Sequence, residues 1–127
     1  MIVVDASVAI RGLLFVGEAS ELLKAGQLHA PHLVDSEVVH VFRRLERQRK
    51  LATAEGTLAL GRWIQMGVRR HAIHGLLPRI WELRHNLSAY DASYVALAEA
   101  LNCVLVTTDS RLAGAPGLAA GVLTVRS

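Results

Sequence analysis

Ser88-Ala89-Tyr90-Asp91-Ala92-Ser93-Tyr94-Val95-Ala96-Leu97-Ala98-Glu99-Ala100-Leu101, then Asn102-Cys103, then Val104-Leu105-Val106-Thr107-Thr108-Asp109, is the stretch on which the fold turns. Ser88 is a good helix N-cap, and Asp91 three residues on completes a variant capping box that the helix dipole also favours. The alanine- and leucine-rich run Ala89–Leu101 predicts a helix. The β-branched run Val104–Thr107 predicts a short buried strand, which Asp109 closes. A helix feeding directly into such a strand is the repeating unit of a parallel α/β sheet.

The same alternation extends outward in both directions. Met1–Val4 predicts a buried strand ending at Asp5, and Ala6–Leu14 a helix broken at Gly17. Glu18–Ala25 predicts a helix stopped by Gly26, and Gln27–Pro31 a short, edge-like strand. Leu33–Lys50 is the longest helix expected, because Val34, Val38, Val41, Phe42 and Leu45 recur at spacings of three and four. Thr53–Met66 predicts a helix capped by Thr53. Val68–His71 reads as a strand, Gly75–Arg84 as a helix, Asp109–Ala113 as one helical turn and Val122–Val125 as a last strand. Strands alternating with helices imply an α/β domain with a mostly parallel sheet.

The chain's 127 residues fit one domain, 1–127, and 52% are hydrophobic, enough for a core without staples. The lone Cys103 excludes a disulfide framework and a cysteine-based zinc site, and suits a reducing cytoplasm. No apolar run is long enough for a membrane span. Met1–Asp5 has no basic region ahead of its apolar residues, so no signal peptide is expected. The net charge is +3, and all 14 basic residues except Lys24 and Lys50 are arginine. Arginine pairs bidentately with phosphate, so the balance is compatible with nucleic acid; GC-rich codon usage accounts for it equally well.

Four acids carry the chemical argument. Asp5 and Asp109 close strands, and ligands gather at the carboxyl ends of strands in open parallel sheets. Asp91 and Glu37 lie near the starts of helices that parallel crossovers can bring to that rim. Taken singly, each is accounted for by helix capping or the helix dipole. Taken together, they repel: two like charges about 4 Å apart cost roughly 4 kcal/mol at an effective dielectric near 20. Some must protonate or a divalent cation must sit among them, and an all-oxygen donor set suits magnesium or manganese.

These segments resemble the PIN domain, and within it the VapC-like ribonuclease toxins of type II toxin–antitoxin pairs. The resemblance rests on Ile2-Val3-Val4-Asp5-Ala6-Ser7-Val8-Ala9, Pro31-His32-Leu33-Val34-Asp35-Ser36-Glu37-Val38, the run Ser88–Ala98, and Leu105-Val106-Thr107-Thr108-Asp109-Ser110-Arg111-Leu112. It implies a three-layer α/β/α sandwich and a magnesium- or manganese-dependent endoribonuclease whose acidic site is Asp5, Glu37, Asp91 and Asp109. Asp5, Asp91 and Asp109 would hold metal, and Ser7 and Thr107 would be auxiliary polar residues. It also implies an RNA substrate, a homodimer and a VapB-like antitoxin that blocks the site. One departure is His40, where many relatives carry a small amide.

Other features carry less. Gly56–Trp63 mimics a phosphate loop but lacks its lysine. His71 and His74 read as surface histidines, Cys103 as a buried small hydrophobe, and Trp63 and Trp81 as core or dimer contacts. The basic run Arg43–Lys50 is a solvated face in which Arg43 and Arg44 can guide RNA phosphates. Two further functions compete. In a phosphoaspartate-type domain Asp5 would be the nucleophile, but no lysine follows Lys50. The other is a non-catalytic PIN-like module that only binds RNA or an antitoxin.

Overall fold

The computed structural model describes residues 1–126. Its centre is a five-stranded, all-parallel sheet in the order β3-β2-β1-β4-β5. The strands are β1 (Ile2–Val4), β2 (Leu28–Pro31), β3 (Arg69–His71), β4 (Val104–Thr107) and β5 (Val122–Thr124). β1 lies in the middle, with Val3 in register with His29 on one side and Leu105 on the other. Val3, Val4, Leu105 and Val106 are fully buried, so alternate side chains are covered on both faces. That is why β1 and β4 read as continuous apolar runs rather than as an alternation.

The helices are α1 (Ala6–Leu14), α2 (Glu18–Ala25), α3 (Leu33–Arg47), α4 (Thr53–Gln65), α5 (Leu77–Glu82), α6 (Ala89–Leu101) and α7 (Ser110–Ala113). α1 packs on α2, α3 and α4 in one layer. α6 lies across β1, β2 and β4, with α5 against it. The result is the three-layer α/β/α sandwich expected. α6 is buried continuously from Ala92 to Ala98, so it shows almost no polar stripe. α1 and α2 meet at Gly12, where a Cβ would stand 2.4 Å from Leu23 Cδ1 and 3.1 Å from the Ala19 backbone. No helix among the described residues is long and apolar enough to cross a membrane.

Several local expectations change. β2 is an inner strand, not an edge. Its four residues are buried, and Pro31 is tolerated because it ends the strand, after which the ladder resumes with His32 N–H donating to the His71 carbonyl at 3.0 Å. The true edge on that side is β3, whose exposed Arg69 guards against further pairing. α3 stops at Arg47 in a Schellman turn: Lys50 N–H donates to the Leu45 carbonyl, and Arg49 takes the left-handed conformation at φ 57°. α4 is capped from Ala52, whose N–H donates to Glu55; the Thr53 hydroxyl instead donates to Glu46. The expected helix 75–84 divides into a 3-10 turn, His74–Leu76, and α5, because Pro78 cannot donate and so belongs in a helix's first turn.

The aromatic and histidine assignments also divide. Trp63 is core, at 1% exposure, whereas Trp81 is 67% exposed, with the Arg84 guanidinium over its ring. His71 is half-buried rather than a surface residue: its Nε2 stands 2.9 Å from Nδ1 of the buried His29. His74 is exposed, and Cys103 is partly rather than fully buried.

The edge strand is fixed by one carboxylate. Asp35, in the first turn of α3, accepts from Arg70 Nε and Nη2 at 2.7 and 2.9 Å and from the indole Nε1 of buried Trp63 at 2.8 Å. The paired guanidinium holds the Asp35 carboxyl below the usual carboxylate range. Asp35→Ala leaves the indole N–H unpaired inside the core. It is expected to cost about 1–3 kcal/mol in urea unfolding; an unchanged midpoint would show that the tie is idle.

Candidate acidic site at the sheet rim

Asp5 follows the last residue of β1 and begins α1. Its Oδ1 accepts from Val8 N–H at 3.1 Å, capping the helix, and from the Ser7 hydroxyl at 2.5 Å. Its Oδ2 accepts from the Thr107 hydroxyl at 2.6 Å. Those hydroxyls are shared: Ser7 Oγ accepts from Thr108 N–H and Thr107 Oγ1 from Asp109 N–H, each at 3.1 Å. Ser7 and Thr107 therefore tie the start of α1 to the end of β4 around a single carboxylate. Burial pushes the Asp5 carboxyl up, and the bonds from Ser7, Thr107 and Val8 pull it only part of the way back. Among the described residues no arginine, lysine or histidine forms an ion pair with it.

Glu37 projects from α3, and its Oε1 accepts from the Tyr94 hydroxyl at 2.5 Å. Tyr94 lies on α6 and is 2% exposed, so a buried phenol from the opposite helical layer fixes this acid. Burial raises the Glu37 carboxyl, the Tyr94 bond opposes that, and the charges of Asp5 and Asp91 raise it further. Asp91 sits in the first turn of α6, where its backbone N–H donates to the Ser88 capping hydroxyl at 3.1 Å. Burial raises its carboxyl too, reinforced by Asp5 and Asp109. Glu37 thus lies within the field of Asp5 and Asp91, and Asp91 within the field of Asp5 and Asp109, at the carboxyl end of the sheet.

Asp109 is held differently. Its Oδ1 caps α7 by accepting from Arg111 N–H, and the Arg111 guanidinium reaches both oxygens at 3.1 and 3.2 Å. That pairing keeps the Asp109 carboxyl below the usual range. The Arg111 side chain is 90% exposed, so the ion pair is of the weak surface kind and can open at little cost.

Among the described residues no three acids or histidines already converge on one point as a cation cage. The fit to a cation lies in the donor set. Asp5, Glu37 and Asp91 are partly buried, mutually repelling carboxylates that form no ion pair among the described residues, with only the more distant Arg111 charge offsetting Asp91, and hard oxygen donors of that kind match magnesium or manganese. Sequence reasoning named the four acids with Ser7 and Thr107 but missed Tyr94 and Arg111. Tyr94 carried a signal, since it stands three residues after Asp91 and shares its side of α6. His40 and Arg44 line a groove with Glu37; Arg43 instead faces a separate groove between α3 and α4 with Phe42 and Leu51.

The chain is thus an all-parallel α/β/α domain with acidic side chains at the carboxyl end of its sheet, the end at which such folds gather their ligands. Residues 2–118 match the PIN domain model. Ribonuclease VapC9 of Mycobacterium tuberculosis is 58% identical over 112 residues, covering 88% of each chain. The crystal structure of PAE2754 from Pyrobaculum aerophilum superposes with a TM-score of 0.72 at 23% identity, covering 95% of this chain and 81% of that one. A toxin–antitoxin complex from Klebsiella pneumoniae gives 0.67 at 22% identity, covering 98% and 97%. The chain belongs to the PIN-domain family, among its VapC members. The phosphoaspartate alternative falls with that membership.

The burial of Asp91, with the repulsion from Asp5 and Asp109 added to it, has a consequence for stability. The folded Asp91 carboxyl titrates above the unfolded value of 3.8. As pH rises from that value, the folded state therefore holds on to a proton that the unfolded state has lost, and stability falls with rising pH across that window. In chelator at neutral pH, Asp91→Asn is expected to melt a few degrees above the parent, and the gain should vanish below pH 3.8. A lower melting temperature for the variant at neutral pH would contradict the raised Asp91 carboxyl.

Proposed function

We propose that this protein is a magnesium- or manganese-dependent endoribonuclease that acts as the toxin of a toxin–antitoxin pair. The observation that carries the reading is Asp5: a half-buried carboxylate that forms no ion pair among the described residues, at the centre of the sheet rim, with Glu37 and Asp91 in its field. The name of the 58% identical relative, a VapC ribonuclease, supports the substrate and the reaction. In this reading Asp5, Asp91 and Asp109 hold the cation, and Glu37 completes the shell or orients a water. When bound, the cation supplies an activated water and offsets the charge of the phosphodiester.

The chain's own residues perform the rest. Ser7 and Thr107 aim the two oxygens of Asp5. Tyr94 holds Glu37 on the α6 side. Arg111 neutralises Asp109 through an exposed ion pair that can open at little cost. A VapB-like antitoxin is the proposed partner, supported by the solved toxin–antitoxin complex of the same fold. A homodimer and a cytoplasmic setting belong to the same reading.

Purified protein is expected to cleave RNA in magnesium or manganese and to stop in chelator. Asp5→Asn and Asp91→Asn should each abolish cleavage while leaving the circular dichroism spectrum intact; undiminished cleavage by both would remove these acids from the site. Tyr94→Phe is expected to lower cleavage by about 10–100-fold, as loss of a supporting hydrogen bond does in metal sites. A non-catalytic toxin would arrest growth equally well as Asp5→Ala; rescue by that variant is the expected result.

A further inference from the structure

Beside the acids lies a groove of about 550 Å³, within the size range of small-ligand sites. Its floor is shared with the site already described, since Ser7 and Glu37 line both. A chain whose phosphodiester lies at the acids can therefore extend an adjoining part of itself into this groove. Ala6, Ile10 and Val41 give it apolar walls. Tyr90, immediately before Asp91, closes one side with a ring that is 66% exposed. Glu37, His40 and Arg44 follow at three and seven residues along α3, the spacing of one helix face, and both His40 and Arg44 line the groove.

We infer that this groove is a nucleotide subsite for the residue flanking the scissile bond. Tyr90 stacks on the base and Arg44 pairs with the adjoining phosphate. The inference rests on the ribonuclease reading and deepens it. Three observations favour a single-stranded RNA segment as the occupant. An exposed aromatic ring beside apolar walls suits an unstacked base, which single strands present and duplexes withhold. Arg44 forms no ion pair among the described residues and so is free for a phosphate. The groove is also continuous with the acids, where the backbone must pass. The neighbouring Arg43 opens to the other side of α3, so the geometry selects one arginine of an adjacent pair.

The test is steady-state cleavage of a short, fluorescently labelled pool of random-sequence single-stranded RNA by the full chain in magnesium. Tyr90→Ala should raise KM by about tenfold with kcat retained, in line with the loss of one stacked base. Tyr90→Phe should restore KM, because the ring and not the hydroxyl makes the stack. Arg44→Ala should raise KM and reduce the salt dependence of binding by about one phosphate contact. Arg43→Ala should behave as the parent. All three side chains are exposed, and melting curves check that each variant folds.

KM unchanged in both Tyr90→Ala and Arg44→Ala would overturn the subsite. So would an Arg43→Ala loss as large as that of Arg44→Ala, which would indicate diffuse basic attraction. Weakened capture of a VapB-like antitoxin by Tyr90→Ala, with RNA kinetics unchanged, would assign the groove to a protein tail and overturn it too. Failure of the unmodified chain to cleave any RNA would instead defeat the ribonuclease reading itself, so the two failures are told apart.

Discussion

The structure depends on the carboxylate of Asp5 and on the constraint it satisfies. At the end of the central strand it caps α1 through Val8, takes the Ser7 hydroxyl, and is reached across the sheet by Thr107. Its own N–H donates to the Val106 carbonyl at 3.2 Å, so main chain and side chain both bind β1 to β4. Few residues touch the central strand, its following helix and its neighbour at once. The arrangement has an electrostatic cost: burying a carboxylate among neutral donors disfavours its charged form, which is why the Asp5 carboxyl is raised. A fold that accepts this at its centre is sacrificing stability for something other than packing.

Three of the four acids are each held in a different way. Asp5 is half-buried among hydroxyls. Glu37 is anchored by a phenol from another layer. Asp109 is neutralised by an exposed arginine two residues away. The first two leave negative charge uncompensated, and the third masks it reversibly. Protons compete for the raised carboxyls of Asp5, Glu37 and Asp91, so any cation gathered there is bound against proton release and more weakly as pH falls. Asp109 does not share that competition, because its proton is already excluded by Arg111.

Much of this was legible in the sequence. Strand ends marked by Asp5 and Asp109, and the Ser88 cap ahead of Asp91, are local signals, and local signals survive folding. What failed was decided by tertiary neighbours. β2 looked like an edge because Gln27, His29 and Pro31 are poor interior residues, yet His29 is buried against His71 and Pro31 merely ends the strand. The cap of α4 passed from Thr53 to Ala52 because Glu55 satisfies the N–H from within the helix. Tyr94 was hidden because its partner, Glu37, is 57 residues away on another helix. No periodicity reports a contact between layers.

α3 shows where a sequence reading of acids stops. Asp35 and Glu37 both lie near its start, two residues apart and hence about 200° apart around the helix. Periodicity says they face different ways but not which one faces the rim. The side-chain partners decide. Asp35 meets Arg70 and the Trp63 indole and is held below the ordinary carboxylate range, so it is a structural tie whose charge is already spent. Glu37 meets only a neutral phenol and two other acids, and is raised. A carboxylate left without a cation where the fold had arginines to spare is the one available to bind something else. By that criterion Glu37 and not Asp35 belongs with Asp5 and Asp91, and the same face of α3 then carries His40 and Arg44 into the groove beside them.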